Sequence, residues 1–145
     1  MFAPTAWARS RATTLDAFAG NSAARSGGPV PSAATFAEVD PSALAVLRAN
    51  VAALGIGDRS RVVAGPARAA VAGDGPWDLV LLDPPYAFDG WAELLDEVAA
   101  ALSPAGLVVV ESDREVRLPA ALRGVRSRTY GGTVVQFARP SGAPS

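Results

Sequence analysis

Two short continuous apolar runs constrain the fold of this chain more than any other feature. Residues 79–82 read Leu-Val-Leu-Leu within Trp77–Leu82, and residues 107–111 form a second run. Such runs are typical of strands buried on both faces, as parallel sheets require. Residues 89–102, between the two runs, carry apolar side chains at helical spacing. A strand, a helix and a second strand in this order predict a right-handed crossover in a parallel sheet.

The same alternation extends through most of the chain. It predicts one doubly wound α/β domain over residues 1–139 with a mostly parallel sheet, a loose N-terminus at 1–11 and a flexible tail at 140–145. An antiparallel C-terminal hairpin is predicted around Tyr130, Gly131 and Gly132, with strands at residues 116–118 and 133–138. The other predicted strands are residues 12–18, 34–38 and 61–64, and the other predicted helices are residues 41–54 and 66–72.

The composition restricts the chemistry. Cysteine and histidine are absent, and all thirteen basic residues are arginine. The chain therefore lacks the groups for disulfides, thiolate or imidazole metal sites, serine–histidine triads and lysine Schiff bases. We expect no metal site, so an enzyme must use carboxylates, amides, backbone groups or a cofactor. No apolar run is long enough to cross a bilayer, and the first residues lack the apolar core of a secretory signal. We expect a cytoplasmic monomer without a membrane partner.

The most specific motif follows the apolar run at residues 79–82. It consists of Asp83, Pro84, Pro85 and Tyr86. Proline fixes φ and lacks an N–H group, so two prolines make a rigid turn. Asp83 and the Pro84 carbonyl can accept hydrogen bonds from one exocyclic amine, while the Tyr86 ring stacks on the base that carries the amine. An ordinary turn at a strand end is the alternative, but ligands bind at the carboxyl ends of strands in such sheets, which favours a catalytic role.

These four residues resemble the catalytic motif of amino-group N-methyltransferases that use S-adenosylmethionine. Two further stretches narrow the resemblance. Residues 15–20 read LDAFAG and are similar to the LDLFAG element of RsmD-type 16S rRNA guanine-N2 methyltransferases. Residues 36–40 read FAEVD and are similar to the F-V-E-x-D element of that family. The resemblance covers residues 15–137 and implies a Rossmann-like class I methyltransferase fold.

The resemblance also implies an activity and a set of site residues. The cofactor would be S-adenosylmethionine, and the partner would be 16S rRNA or an assembly intermediate of the small ribosomal subunit. Asp83, Pro84, Pro85 and Tyr86 would hold the guanine N2 amine, and Glu38 would accept hydrogen bonds from both ribose hydroxyls of the cofactor. The other cofactor-binding residues implied are Asp16, Phe18, Ala19, Gly20 and Asp40.

Residues 21–33 depart from that family. Its members continue into a glycine-rich turn and a helix, whereas this stretch has no apolar period and contains Pro29 and Pro31, which a regular helix excludes. We therefore predict an atypical loop. One permitted set of codons for residues 25–32, read one base later, encodes Gly-Leu-Glu-Ala-Leu-Ser-Arg, which matches the missing helix. We hypothesise a pair of compensating frameshifts, and a genuine proline-rich loop is the alternative.

Three functions stay open at this point. The first is RsmD-type methylation of rRNA, and the second is methylation of adenine N6 in DNA, which the short chain disfavours because no target-recognition domain fits. The third is a catalytically impaired remnant, which the atypical loop favours. A dinucleotide oxidoreductase is a poor fourth candidate, because no Gly-x-Gly-x-x-Gly follows the first strand. Six arginines crowd the last third and can either contact an RNA backbone or form a solvated face: Arg114, Arg117, Arg123, Arg126, Arg128 and Arg139.

Overall fold

A computed structural model describes residues 13–15, 33–72 and 75–142. Within this part of the chain, seven strands form one sheet in the order β3-β2-β1-β4-β5-β7-β6. The strands are β1 (Thr13–Leu15), β2 (Ala34–Glu38), β3 (Ser60–Ala64), β4 (Trp77–Leu82), β5 (Leu102–Ser112), β6 (Leu122–Tyr130) and β7 (Thr133–Pro140). The helices are α1 (Pro41–Ala53), α2 (Ala67–Val71) and α3 (Trp91–Ala101), with a short 3-10 turn at Gly57–Arg59.

Most predicted elements are confirmed within a few residues. β2 and β4 have the predicted bounds, and the three predicted helices are present. α1 begins where predicted because the Asp40 carboxylate accepts hydrogen bonds from the N–H groups of Ser42 and Ala43 at 2.9 Å each. It ends before Gly55, whose φ of 66° is a left-handed conformation that favours glycine.

The directions of the strands differ from the prediction in one place. β2 with β3 and β4 with β5 are parallel, as predicted. β1 runs antiparallel to both β2 and β4, so parallel pairs are fewer than expected. A parallel β1–β2 pair requires a crossover connection, usually a helix. The sequence of residues 21–32 has no apolar helical period, so nothing in it specifies such a crossover.

The C-terminal hairpin is confirmed, but its first strand is not where it was predicted. β6 and β7 pair around Gly131 and Gly132, with Tyr130 opposite Thr133. Residues 116–118 form no strand, and β6 begins only at Leu122. The apolar pattern missed β6 because this edge strand is mostly exposed and rich in arginine. Residue 116 is instead fixed by the buried Gln136 amide, which donates to its carbonyl at 3.0 Å and accepts its N–H at 2.6 Å.

Helices α2 and α3 pack together against one face of the sheet and bury the main core there. Trp77 lies fully inside, and its indole N–H donates to the carbonyl of Val71 at 3.2 Å, which fixes the end of α2 to β4. The opposite face keeps Leu81, Val109 and Phe137 only partly buried. No helix in the described ranges is both long enough and apolar enough to span a membrane.

Candidate active site

The register of the sheet brings two predicted site residues to the same level of its carboxyl edge. Ala37 and Leu82 both lie opposite Thr13, on either side of β1. The next residues along β2 and β4 are Glu38 and Asp83, so both acids leave the sheet at one level. Two strand spacings separate them, which is about 10 Å. The sequence predicts that Asp16, Glu38 and Asp83 share one edge of the sheet. The structure places Glu38 and Asp83 there, and Asp16 lies outside the described residues.

Glu38 is almost completely buried, with 1% of its surface exposed. Its carboxylate accepts the N–H of Asp40 at 2.8 Å, and its backbone carbonyl accepts the N–H of Gly65 at 3.0 Å. Buried carboxylates are rare unless hydrogen bonds or bound groups satisfy them. A solvated acid at a strand end would be the alternative to a binding role, and the burial of Glu38 argues against it. The Asp40 carboxylate caps α1, and its predicted role in cofactor binding stays a prediction.

Asp83 lies in a partly buried position directly after β4. Burial and the nearby Glu111 carboxylate together raise the pKa of its carboxyl from an ordinary 3.8 to about 6, and burial is the larger cause. The two acids are close because Leu82 pairs with Val110 on the neighbouring parallel strand. Asp83 follows Leu82 and Glu111 follows Val110, so the two acids lie side by side. Burial favours the neutral carboxyl, and so does a like charge, so both causes act together. Perturbed carboxyl groups of this kind are concentrated at functional sites.

The turn after Asp83 holds an aromatic ring at the surface. Pro84 is buried, and the carbonyl of Pro85 accepts the N–H of Phe88 at 2.8 Å, which closes the turn. Tyr86 is 48% exposed, and its hydroxyl shares a 2.9 Å hydrogen bond with the hydroxyl of Thr133 on β7. A ring that is held at one end and open on its face can stack on a flat ligand.

Arg114 fixes this turn from the far end of β5, and the sequence did not predict this role. Its guanidinium donates to the carbonyl of Tyr86 at 3.1 Å and to the carbonyl of Phe88 at 3.2 Å, and it pairs with Asp113 at 2.7 Å. The sequence shows only an arginine three residues beyond a predicted strand, next to two acids. No spacing in the sequence indicates that its partners lie 26 and 28 residues earlier.

The predicted cofactor residues Asp16, Phe18, Ala19 and Gly20 lie outside the described residues, and so does most of the atypical loop at 21–33. Leu15, which precedes them, lies opposite Thr35 at the amino end of β2. The start of β1, and not its end, therefore lies at the level of Glu38 and Asp83. This follows from the antiparallel direction of β1.

Most of the chain matches a known family. A family model described as Conserved hypothetical protein 95 matches residues 1–139. The chain belongs to this family. Membership confirms the resemblance to the RsmD-type methyltransferases that the motifs at residues 15–20, 36–40 and 83–86 indicated. A search of curated proteins gives no significant match.

Solved structures of this fold agree with the assignment. A conserved protein of Streptococcus pyogenes is 31% identical with a TM-score of 0.69, and the match covers 79% of this chain and 75% of that one. The Escherichia coli protein yhhF, which carries a methyltransferase description, is 27% identical with a TM-score of 0.67. The match covers 77% of this chain but only 64% of yhhF, so the chain corresponds to less than two thirds of that protein. The fold is that of class I methyltransferases.

Proposed function

We propose that this chain transfers a methyl group from S-adenosylmethionine to the exocyclic N2 amine of a guanine in 16S rRNA. One observation carries the proposal: Asp83, Glu38 and the exposed ring of Tyr86 lie together at the carboxyl edge of a methyltransferase fold. The methyltransferase description of the relative yhhF supports the reaction class. The proposed partner is the rRNA alone or within an assembly intermediate of the small subunit.

The described residues fit one part of the cofactor. Glu38 offers a buried carboxylate at a strand end, which suits the two ribose hydroxyls because charge-assisted hydrogen bonds are strong in a dry site. When bound, S-adenosylmethionine supplies the methyl group as an electrophile. The loop at residues 16–20 would hold its methionine end, as the family resemblance implies.

The residues around Asp83 would prepare the amine. The Asp83 carboxylate and the Pro84 carbonyl each accept one N–H of the guanine amine, and Tyr86 stacks on the guanine ring. These contacts orient the amine nitrogen for attack on the methyl carbon. A pKa of about 6 also makes the Asp83 carboxylate a suitable acceptor for the proton that the nitrogen loses as its new bond forms. The ionised form of Asp83 is therefore the active one.

A second candidate is a chain that keeps the fold without turnover. The direction of β1 favours it, because Leu15 lies at the opposite end of the sheet from Glu38 and Asp83. Such a chain would retain the amine-binding turn at residues 83–86 but would bind the cofactor weakly. The two candidates differ in one measurable quantity, the affinity for S-adenosylmethionine.

The test pairs two conservative variants of the full chain. We expect Asp83→Asn to abolish methyl transfer to 16S rRNA and to leave the Kd for S-adenosylmethionine unchanged, because Asp83 contacts the amine. We expect Glu38→Gln to weaken cofactor binding at least tenfold, which corresponds to about 1.4 kcal/mol. Transfer is measured with radiolabelled cofactor on small subunits and Kd by calorimetry.

Three outcomes would contradict the proposal. If Asp83→Asn weakens cofactor binding as much as transfer, Asp83 is a structural residue. If the unmodified chain methylates adenine in DNA but not rRNA, the substrate is wrong. If it binds no cofactor and transfers no methyl group, the second candidate is correct.

A further inference from the structure

The charges of this chain are segregated along the sequence. All fourteen acidic residues lie before residue 116, whereas five of the thirteen arginines lie after it. The net charge of −1 therefore conceals an acidic part and a basic part. In the fold, the basic part is the hairpin of β6 and β7 with the segment that leads into it. A basic surface of this kind raises the local concentration of polyanions.

The register of the hairpin gathers most of these arginines on one face. Residues directly opposite each other on antiparallel strands point to the same side of the sheet. Arg126 lies opposite Phe137, Arg128 opposite Val135, and Tyr130 opposite Thr133. Because Thr133, Val135 and Phe137 alternate along β7, all of these side chains share one face. The cross-strand pair Arg123 and Arg139 lies on the same face. We call the surface formed by Arg123, Arg126, Arg128, Tyr130 and Arg139 the arginine face.

The pair at the far end of the arginine face is unfavourable by itself. Arg123 lies directly opposite Arg139, and like charges in this position destabilise a sheet. Arg139 also donates to the carbonyl of Ala105. This cross-strand pair of arginines, with no acid in β6 or β7, indicates a surface arranged for an external anion.

The arginine face continues directly from the amine-binding turn. Glu111 lies opposite Val135, and Val135 lies opposite Arg128, so Asp83, Glu111, Val135 and Arg128 form one row across four strands. Three strand spacings separate Asp83 from Arg128, which is about 14 Å. The hydrogen bond between Tyr86 and Thr133 joins the two surfaces, because Thr133 is the cross-strand partner of Tyr130. Tyr130 is 65% exposed.

We propose that the arginine face binds the single-stranded RNA next to the target guanine. Phosphates contact Arg126 and Arg128, and a neighbouring base stacks on Tyr130. Arginines that follow a backbone and aromatic rings that stack on bases are the two components of single-strand binding sites. The inference rests on the proposed function, because it takes the base at Asp83 as the starting point of the strand.

A second copy of the chain is the other partner that could bind to the exposed edge strand β6. β6 is the last strand of the sheet, and exposed edges can pair with another chain. Two copies of β6 would place their arginines against each other, and charged residues on edge strands prevent such pairing. The charge therefore favours RNA over self-association.

The test measures binding of a fluorescently labelled single-stranded 16S rRNA fragment to the full chain by anisotropy over a range of salt concentrations. We expect Arg126→Ala and Arg128→Ala each to weaken binding and to reduce the slope of log K against log salt by about 0.7, because each removes one phosphate contact. Arg48→Ala is the matched control. Arg48 is an exposed arginine on α1, which packs near β3 at the opposite end of the sheet.

Tyr130→Ala tests the aromatic part separately. We expect it to weaken binding about fivefold or more with an unchanged salt slope, because stacking releases no counterions. Equal effects of Arg48→Ala and Arg128→Ala would overturn the inference, and so would dimers in sedimentation that Arg126→Ala disrupts, because the arginines would then form a self-association surface. Failure of the proposed function looks different, because RNA binding would still depend on Arg126 and Arg128 while methyl transfer was absent.

Discussion

Asp83 is the residue whose surroundings say most about its function. Its carboxyl is partly buried beside Glu111, and burial is the larger cause of its raised pKa. A carboxylate at a surface turn would ionise near its ordinary value of 3.8. Asp83 thus lies in an environment that disfavours its charged form. A side chain retained against its own solvation preference is a common sign of function.

The raised pKa predicts how stability depends on pH. The folded protein binds the Asp83 proton more tightly than the unfolded chain, so the resulting contribution to stability is complete below about pH 4 and is lost as the pH rises through about 6. Asp83→Asn lacks this titration. We expect the variant to have a higher Tm than the unmodified chain at pH 7.5, with the difference disappearing towards pH 4. A constant difference across this range would contradict the raised pKa.

Glu111→Gln separates the two causes of the shift. Since burial is the larger cause, removal of the Glu111 charge should lower the pKa of Asp83 without restoring its ordinary value. In a Glu111→Gln background, we expect the Tm gain from Asp83→Asn at pH 7.5 to become smaller without vanishing, with its midpoint shifted to lower pH.

At the scale of the element, β5 departs most from regular geometry. Leu102 pairs with Trp77 and Leu107 with Leu79, so residues 103–106 bulge out of the ladder. Ser103 donates to the Asp78 carboxylate at 2.7 Å and anchors the start of the bulge. A Cβ on Gly106 would lie 2.8 Å from the Trp77 carbonyl and 3.0 Å from the Ser103 carbonyl. Only glycine fits between these backbone atoms, which cannot move like the end of a flexible side chain.

Gly106→Ala should therefore destabilise the protein. We expect a loss of about 1–3 kcal/mol in the free energy of unfolding, the usual cost of an overpacked site. Gly132→Ala is the control, because a Cβ there meets nothing within 4 Å. Both values come from urea denaturation of the full chain. Similar losses for the two variants would show that the close approach at Gly106 costs nothing.

At the scale of the whole molecule, the two faces of the sheet are unequally covered. α2 and α3 bury Val80, Val108 and Val110 completely on one face. On the other face, Leu81 and Val109 remain partly exposed among the described residues. In a doubly wound sheet, a crossover helix between the first two parallel strands covers that second face. The sequence of residues 21–32 has no apolar helical period and so encodes no such helix, which is consistent with the antiparallel direction of β1.

Replacement of residues 25–32 by Gly-Leu-Glu-Ala-Leu-Ser-Arg should restore function if a frameshift altered this segment. We expect the affinity for S-adenosylmethionine to rise at least tenfold, about 1.4 kcal/mol, because the crossover helix favours a parallel β1 whose end lies beside Glu38. Calorimetry measures the affinity, and a scrambled heptapeptide of the same composition is the control. An unmodified chain that already binds at micromolar Kd would remove the functional consequence of the frameshift.

The sequence by itself determined the fold class, the bounds of β2 and β4, and the acids at the carboxyl edge. Apolar runs and capping residues act over a few positions, so local patterns suffice to predict them. Only the tertiary structure decided the direction of β1, the position of β6, the hydrogen bonds from Arg114 to the turn after Asp83, and the arginine face. Each of these depends on pairing between residues far apart in the chain. A three-residue strand and an exposed, arginine-rich edge strand carry too little apolar pattern to specify their own partners.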